Sequence, residues 1–386
     1  MITNSYTIGN YGAMIADRVR MEAYSRALRE VIRPGSVVLD IGTGPGIMAV
    51  LVCQLGAKRV FAIEASPVIQ VAREIAAANQ CAQKIEFFED ISTNVNLPVL
   101  ADVIVSDMRG VLPLFEHHIP SIADARRRFL APGGILIPRK DKIWAAVVEA
   151  PEQYGKIVDR WECNGLGQDL SPARNKIVND MQKGRFAPEQ LLSKPQIWAT
   201  LDYRTIENPD HRFELEWTAE RNGTGHGIVA WFGTELADGV GFSNAPGEPE
   251  AIYSSMFFPW VKPVPLAAGQ VVRVDLQAKL LEKDYFWRWT SKIASLESPK
   301  KIITQFDQSQ LHGLVTSLKE LHRRASNFVP QISDKGRIQQ RTLELMDGKT
   351  SLEEIARRLT TDFPERFARW QQALTYAGTT SDENSR

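Results

Sequence analysis

The feature that most constrains the fold is an apolar strand that runs directly into a glycine-rich turn and a helix. Residues 37–41 are apolar except for Asp40, and the turn at 42–46 has the spacing Gly-x-Gly-x-Gly. A second apolar segment at 59–63 ends on Glu64. Glycines let a ligand approach the backbone, the helix N-terminus offers free N–H groups, and an acid after the second strand can accept hydrogen bonds from ribose hydroxyls. This order predicts an α/β domain that holds a nucleoside.

The spacing and charge of the turn favour a cationic cofactor over a dinucleotide. Dinucleotide sites typically have Gly-x-Gly-x-x-Gly, whereas the third glycine comes one residue earlier in this chain. Asp40 would also place negative charge near a pyrophosphate, but it suits a sulfonium with an amino-acid tail. An NAD(P) site and a glycine-rich turn of another α/β domain are the alternatives. The segment resembles motif I of the class I S-adenosylmethionine (SAM) methyltransferases.

The patterns along the chain predict four parts. Alternating strands and helices predict a mostly parallel sheet with helices on both faces, and later period-two segments predict an antiparallel body. The parts are a helical lid at 1–35, a SAM-binding domain at 36–139, a β-domain at 140–330 with a projecting arm at about 162–190, and a helical module at 331–386.

Composition limits the partners and the cellular compartment expected for the protein. The 46 basic and 46 acidic residues cancel, so no nucleic-acid or membrane partner is expected. Cys53, Cys81 and Cys163 lack the spacing of metal ligands, and no metal is expected. The first residues lack the pattern of a signal peptide, and no apolar run approaches the length of a membrane span. We expect a cytoplasmic protein.

Two carboxylates nine residues apart follow the strand predicted at 101–106. These are Asp107 and Glu116. Ligands of parallel sheets bind beyond the carboxyl ends of the strands, where Asp40, Glu64 and Asp107 should all lie. Two acids on one loop beside a SAM site can hold a guanidinium group through charge-assisted hydrogen bonds.

This loop, Ser106–Glu116, resembles the double-acid loop of the protein arginine methyltransferases. Met14-x-x-Asp17-x-x-Arg20-x-x-x-Tyr24 is similar to the cofactor-lid helix of that family. The segments at 226–232 and 241–246 resemble its β-barrel signatures, and residues 161–193 fall where the family carries its dimerisation arm. The resemblance covers about residues 11–290.

The resemblance implies a Rossmann-like SAM domain, an antiparallel β-barrel domain and a homodimer that methylates arginine, free or in a peptide or protein. Its catalytic acids would be Asp107 and Glu116. The residues that it implies for cofactor binding are Arg20, Asp40, Gly42, Gly44, Gly46, Glu64, Ala65 and Thr93. Those that it implies for acceptor binding are Tyr11, Met14 and His226.

Several family positions differ in this chain. The first acid is Asp107 rather than Glu, Val111 replaces an aromatic residue, and the family's Thr-His-Trp is replaced near 250–252. The Glu that often contacts the adenine falls near Thr93. Two alternatives therefore stay open, namely methylation of another small amine or hydroxyl, and a SAM-binding scaffold without catalysis. Turnover of SAM with arginine-containing acceptors would discriminate between them.

Three neighbouring residues and the C-terminal module have ordinary interpretations. Arg109 is as readily a surface salt bridge as a functional residue, and His117 and His118 are expected to be solvated. The segment at 345–356 weakly resembles helical modules that hold leader peptides, but a packing cap or a dimer element is equally compatible. Residues 379–386 are expected to be disordered.

Overall fold

The computed structural model describes residues 6–162, 165 and 167–385. They form two compact units, of which the first ends at Leu314 and the second begins at Val315. Cys163, part of the predicted arm, lies outside the described residues.

The first unit opens with two helices rather than one continuous helical segment. They are α1 (Ile8–Ala16) and α2 (Arg18–Val31). Asp17 separates them because its backbone is extended (φ −68°, ψ 97°). Its side chain accepts a hydrogen bond from the backbone N–H of Arg20 at 3.1 Å, so Asp17 is also the N-cap of α2.

The predicted parallel sheet is confirmed, with its strands in the order β3-β2-β1-β4-β5. Its elements are, in chain order, β1 (Val37–Ile41), α3 (Ile47–Gln54), β2 (Arg59–Ile63), α4 (Ile69–Ala78), β3 (Ile85–Phe88), β4 (Ala101–Ser106), α5 (His118–Phe129) and β5 (Leu130–Ile137).

The register of these strands brings several loops to one edge. Ile41 lies opposite both Ile63 and Ser106, and Ile63 lies opposite Phe88. The last residues of four adjacent strands are therefore level. The loops that follow them begin at the same edge, where ligands of such sheets bind.

The rest of the first unit is an antiparallel body with short helices. Its elements are β6 (Lys140–Val148), α6 (Pro151–Glu162), α7 (Ser171–Ile177), β7 (Gln182–Gly184), β8 (Gln196–Asp202), β9 (His211–Thr218), β10 (Gly223–Ala237), β11 (Val240–Ser243), β12 (Ser255–Leu266), β13 (Val271–Leu281), β14 (Asp284–Ala294), β15 (Ile302–Ser309) and α8 (Gln310–Gly313).

These strands form two sheets. One has the order β7-β12-β10-β6-β8, with β11 paired to β10, and the other has the order β15-β14-β13-β9. The antiparallel prediction is thus confirmed, but the pairing among the described residues does not close into the expected barrel. The two sheets share one apolar core, and its largest fully buried side chains include Trp198, Trp217, Trp260, Trp287 and Trp289.

The second half of the predicted arm packs against this body rather than projecting from it. Strand β7 pairs with β12, with Gly184 opposite Ser255. On α7, Arg174 donates to the carbonyl oxygen of Val261 at 2.9 Å, and the hydroxyl of Tyr154 on α6 donates to the same oxygen at 2.9 Å.

The second unit is helical, as predicted, but it begins at Val315 rather than near 331. Its helices are α9 (Leu318–Arg324), α10 (Asp334–Leu345), α11 (Leu352–Asp362) and α12 (Trp370–Asn384). The predicted cap of α11 is present, since Ser351 accepts from the backbone N–H of Glu354 at 3.3 Å. The disorder expected over 379–386 is wrong for the described residues up to 385, because α12 continues to Asn384 and buries Thr380.

Among the helices that the structure describes, none has both the length and the apolar character needed to cross a bilayer.

Candidate functional site

The glycine-rich turn forms a close-packed cradle at the end of β1. The N–H groups of Gly42 and Thr43 both donate to the carbonyl oxygen of Ile63, at 2.9 and 3.0 Å, which fixes the turn to β2. Gly46 has φ +81°, and a Cβ there would lie 2.9 Å from Cβ of Ala72 on α4. Only glycine meets both requirements, so this position explains the last glycine of the motif.

Glu64 faces this turn and is held by backbone donors. The N–H of Gly44 donates to one carboxylate oxygen at 3.0 Å, and the N–H of Ser66 donates to the other at 2.9 Å. Each oxygen keeps a lone pair for a further donor. The half-buried carboxylate is therefore pre-oriented to accept hydrogen bonds from a diol such as ribose.

Asp40 lies beneath the turn and is buried. The hydroxyl of Thr43 donates to its carboxylate at 2.5 Å. Burial raises the pKa of Asp40 to about 7, and the hydrogen bond from Thr43 offsets only part of that increase. A cation bound nearby would favour the ionised form of this carboxyl group.

Helix α1 covers the turn with aromatic side chains. A Cβ at Gly44 would lie 2.8 Å from the ring of Tyr11, so the ring packs directly on the glycine backbone. Tyr6 packs edge-on against Tyr11, with ring centroids 5.9 Å apart. Burial, and then the negative charges of Glu116 and Asp107, raise the pKa of Tyr6.

Arg20, on α2, lies between the cofactor side of the edge and the acid loop. Its Nε donates to Asp107 at 2.5 Å, and its Nη1 donates to the carbonyl oxygen of Met14 at 3.2 Å. Its Nη2 has no acceptor among the described residues, so two N–H groups are available to a carboxylate ligand. This arrangement is compatible with the predicted role of Arg20 and adds a partner that the sequence did not indicate.

Asp107 is surrounded by donors. One oxygen accepts from Arg20 and from the hydroxyl of Tyr253 at 2.7 Å, and the other accepts from Nε of Arg109 at 3.1 Å. Burial alone would raise the pKa of Asp107, but the two guanidinium groups outweigh it and hold the pKa well below its usual range. Asp107 is therefore a permanently ionised, internally paired carboxylate.

Arg109 is fully buried, so the surface salt bridge considered for it is wrong. Besides Asp107 it pairs with Asp141 of β6 at 3.0 Å. It also donates to Thr234 of β10 at 2.8 Å and to the hydroxyl of Tyr24 on α2 at 2.7 Å. The guanidinium thus joins the acid loop to the lid and to the antiparallel body.

Glu116 at the other end of the loop has a different environment. Its side chain is exposed, and it forms no hydrogen bond or ion pair with the residues that the structure describes. Burial of part of the side chain raises its pKa, and the negative charge of Asp284 at the start of β14 raises it further. The positive charges of His117 and Lys283 lower the pKa again, but only in part. Glu116 is therefore the loop acid without a bonded partner among the described residues, and it is the stronger base of the two.

The two histidines after Glu116 differ from each other. His117 is exposed, as expected, whereas His118 is buried. Nε2 of His118 lies 3.0 Å from the hydroxyl of Tyr203, which donates to Asp141 at 2.6 Å. Burial, and then the positive charge of Arg109, lower the pKa of His118 to about 3. The ring is therefore neutral at physiological pH and belongs to the buried network around Arg109.

The remaining predicted site residues lie at the edge or away from it. Ala65 and Thr93 are exposed on loops at the carboxyl end of the sheet, so their predicted contacts with the cofactor stay predictions. His226 lies elsewhere. Its Nδ1 donates to the carbonyl oxygen of Thr224 at 2.8 Å, and its ring packs on Tyr154 with centroids 5.5 Å apart. The structure does not bring His226 together with the loop acids.

Three residues of the site were not predicted from sequence, namely Asp141, Tyr203 and Tyr253, and Tyr24 was indicated only as the last residue of the lid-helix motif. One weak signal was available for Tyr253, since it follows the stretch at 250–252 that replaces a family motif. In the same stretch the N–H of Ile252 donates to Asp17 at 2.7 Å, which fixes it to the break between α1 and α2.

The edge fits SAM on two independent grounds. Glu64 presents two oriented oxygens, and Arg20 presents two N–H groups that have no acceptor among the described residues. These features match a nucleoside and an amino-acid carboxylate.

Comparisons with known proteins agree with this geometry. A family model described as ribosomal protein L11 methyltransferase matches residues 24–162, and one described as arginine methyltransferase oligomerization subdomain matches residues 139–286.

Two relatives illustrate the sequence similarity. The chain is 29% identical over 239 residues to the probable protein arginine N-methyltransferase 6 of Arabidopsis thaliana, which covers 60% of this chain and 55% of that protein. It is 32% identical over 231 residues to protein arginine N-methyltransferase 6 of Xenopus laevis, which covers 57% of this chain and 68% of that protein. The chain thus spans just over half the length of the Arabidopsis relative.

A solved structure shows the same fold. The Trypanosoma brucei PRMT1 enzyme–prozyme heterotetrameric complex with AdoHcy matches with a TM-score of 0.71 at 20% identity, over 78% of this chain and 98% of that chain. At this level of identity the match shows the fold alone.

Proposed function

This chain belongs to the protein arginine N-methyltransferase family, and we propose that it methylates the guanidinium group of an arginine-containing acceptor with SAM as the methyl donor. The observation that carries the proposal is the meeting of two half-sites at one sheet edge. Glu64 and the glycine turn form the cofactor half, and the unpaired carboxylate of Glu116 forms the acceptor half.

On the cofactor side, this chain's residues bind and orient. Glu64 accepts from the ribose hydroxyls, the free Nη2 of Arg20 binds the amino-acid carboxylate, and Tyr11 covers the turn at Gly44. Bound SAM supplies an electrophilic methyl group on a positively charged sulfur. Asp40, whose pKa is raised by burial, gains ionised character beside that charge.

On the acceptor side, Glu116 polarises the guanidinium. A guanidinium is a poor nucleophile because its lone pairs are delocalised and its pKa exceeds about 12. A carboxylate that accepts from two of its nitrogens draws positive charge toward them and leaves electron density on the third. Most of the rate acceleration then comes from orientation and electrostatics.

Glu116 is also the better proton acceptor of the two loop acids. The pKa of Asp107 is held low by its paired guanidinium groups, whereas burial and Asp284 raise the pKa of Glu116. His118 is too weakly basic for this role, since its pKa is about 3. Glu116 therefore takes the proton released when the guanidinium nitrogen is methylated.

The acceptor in this proposal is arginine itself or one arginine-containing peptide rather than a broad set of Arg-rich tails. The chain has a formal net charge of zero and so offers no overall acidic steering toward basic tails.

A homodimer in the cytoplasm is proposed as well. The match of residues 139–286 to an oligomerization subdomain supports the first part, and the buried free thiols of Cys53 and Cys81 suit a reducing compartment. Light scattering of the intact chain tests the dimer.

The test of activity is incubation of the purified chain with methyl-labelled SAM and free arginine, arginine-containing peptides or protein extracts. We expect label on guanidinium nitrogens by mass spectrometry, together with release of S-adenosylhomocysteine. SAM binding without turnover on any of these acceptors would favour a SAM-binding scaffold without catalysis. Label on a different amine or hydroxyl would favour a methyltransferase for another small substrate.

A further inference from the structure

The carboxylate of Asp107 has little capacity left for a substrate. A carboxylate has about four lone-pair positions. Three of them accept from Arg20, Tyr253 and Arg109, at 2.5, 2.7 and 3.1 Å. At most one position remains, so Asp107 cannot accept a paired set of hydrogen bonds from two nitrogens of an acceptor guanidinium.

The charges around Asp107 also cancel. Arg20 and Arg109 contribute two positive charges, and Asp107 and Asp141 contribute two negative charges, within one connected set of contacts of 2.5–3.1 Å. The side chains of Arg109 and Asp141 are fully buried, and those of Arg20 and Asp107 are 12% and 10% exposed. An acceptor guanidinium that approached Asp107 would meet two like charges beside it and gain no net attraction.

Arg109 is the residue that produces this balance. Its Nε bonds Asp107, its Nη1 bonds Asp141 and Thr234, and its Nη2 bonds Tyr24. A planar guanidinium can make these bonds simultaneously, which a lysine cannot. Arg109 therefore fixes the orientation of Asp107 from the side opposite Arg20.

Because Asp107 is fixed in this way, its second oxygen holds Nε of Arg20 at 2.5 Å, and Nη2 of Arg20 has no acceptor among the described residues. The contact orients the arginine that faces the cofactor side. Glu116, nine residues further along the loop, has no bonded partner among the described residues, and the positive charges of His117 and Lys283 offset only part of the rise in its pKa.

We propose that Arg109 makes Asp107 a positioning residue for the cofactor-binding Arg20, and that Glu116 alone binds the acceptor guanidinium. This inference rests on the proposed function for its acceptor half, whereas its cofactor half can be tested by binding alone. It assigns Arg109 and Asp107 to SAM affinity and Glu116 to turnover.

The experiment compares full-length variants by calorimetric titration with SAM and by steady-state kinetics at saturating SAM. For Asp107→Asn we expect SAM affinity to weaken about tenfold or more, while kcat falls less than about fivefold. Arg109→Lys keeps the charge but loses the planar fork, and it should shift the same two quantities in the same direction by less. Asp238→Asn, with an exposed carboxylate paired to Arg139, is the matched control.

A double-mutant cycle separates this inference from the proposed function, because it needs no acceptor. If Asp107 acts through Arg20, Asp107→Asn should weaken SAM binding no further in an Arg20→Ala background. Additive losses in that cycle overturn the inference even if the protein methylates arginine. Thermal denaturation of each variant checks that it is folded. If Asp107→Asn does not fold, Arg109→Lys takes its place in the double-mutant cycle.

The proposal that Glu116 alone binds the acceptor is overturned if Asp107→Asn affects turnover rather than SAM affinity. If Asp107→Asn keeps SAM affinity within twofold but lowers kcat at saturating SAM a hundredfold or more, Asp107 contacts the acceptor directly. If the wild-type chain methylates no acceptor, the proposed function fails, and the binding cycle still decides whether Asp107 positions Arg20.

Discussion

The cofactor side and the acceptor side of this sheet edge treat their carboxylates in opposite ways. On the cofactor side each acid has an internal donor: Thr43 for Asp40, two backbone N–H groups for Glu64, and two arginines and a tyrosine for Asp107. On the acceptor side, Glu116 has none among the described residues. The comparison indicates that internal donors hold the carboxylates of the cofactor half in place before SAM binds. In the acceptor half, the carboxylate gains its partner only when the acceptor binds.

The largest effect is expected from removing the unpaired charge. Glu116→Gln keeps the shape of the side chain but cannot draw positive charge onto two guanidinium nitrogens. We expect kcat to fall by about a hundredfold or more, with SAM affinity nearly unchanged. Quenched-flow or steady-state assays at saturating SAM measure the first quantity, and calorimetry measures the second. Wild-type turnover in this variant would remove Glu116 from the acceptor site and abolish the contrast.

On the cofactor side the largest loss should follow removal of Glu64. Glu64→Ala deletes a charge-assisted acceptor that two backbone donors hold in place. We expect SAM binding to weaken by about 1.5–3 kcal/mol. Glu74→Ala, on the exposed side of α4, is the control for a surface Glu on a neighbouring helix. Equal SAM affinities of the Glu64→Ala and Glu74→Ala variants in calorimetry would place the ribose elsewhere.

The difference between the halves also bears on what the sequence could reveal. The parallel strands and the glycine turn were predicted to within a few residues, because they depend on local apolar runs and turn chemistry. The loop acids were found for the same reason, since they follow a strand directly. Local sequence patterns were therefore enough to predict the parallel strands, the glycine turn and the two loop acids.

The contacts that neutralise Asp107 could not be found in this way. Arg109 reaches Asp141 across 32 positions and Thr234 across 125, and Tyr253 reaches Asp107 across 146. No periodicity links such positions. The strands of the antiparallel body were recognised because each has a local period-two pattern. Their division into two sheets was not predicted, because it depends on contacts between distant positions. The position at the chain terminus suggested disorder over 379–386, where α12 in fact continues to Asn384 and buries Thr380.

A smaller effect is expected from the pH dependence of SAM binding. Burial raises the pKa of Asp40 to about 7, so in the free protein this carboxyl group is largely protonated below that pH. Its contribution to stability is present at low pH and is lost as pH rises from about 4 toward 7. A cationic ligand favours the ionised form, so SAM affinity should increase as pH rises through 7, by at most about tenfold per pH unit, and level off above it.

S-Adenosylhomocysteine, which lacks the sulfonium charge, should show a weaker dependence, and Asp40→Asn should remove the dependence for both ligands. Calorimetry from pH 6 to 8.5 measures these affinities. A flat profile for SAM in the wild type would separate Asp40 from the bound charge.

The smallest effect concerns the surroundings of Glu116. Partial burial raises the pKa of this carboxyl group, and the negative charge of Asp284 raises it further. Glu116 must be ionised to bind a guanidinium, so the acidic limb of kcat/KM should follow its pKa. Asp284→Asn removes the negative charge that raises this pKa and should shift that limb to lower pH, with little change in the plateau rate. Glu282→Gln, on the same exposed hairpin, is the matched control and should leave the limb in place. A limb that moves equally in both variants reflects general surface charge, whereas a limb that moves in neither shows that another group controls acceptor binding.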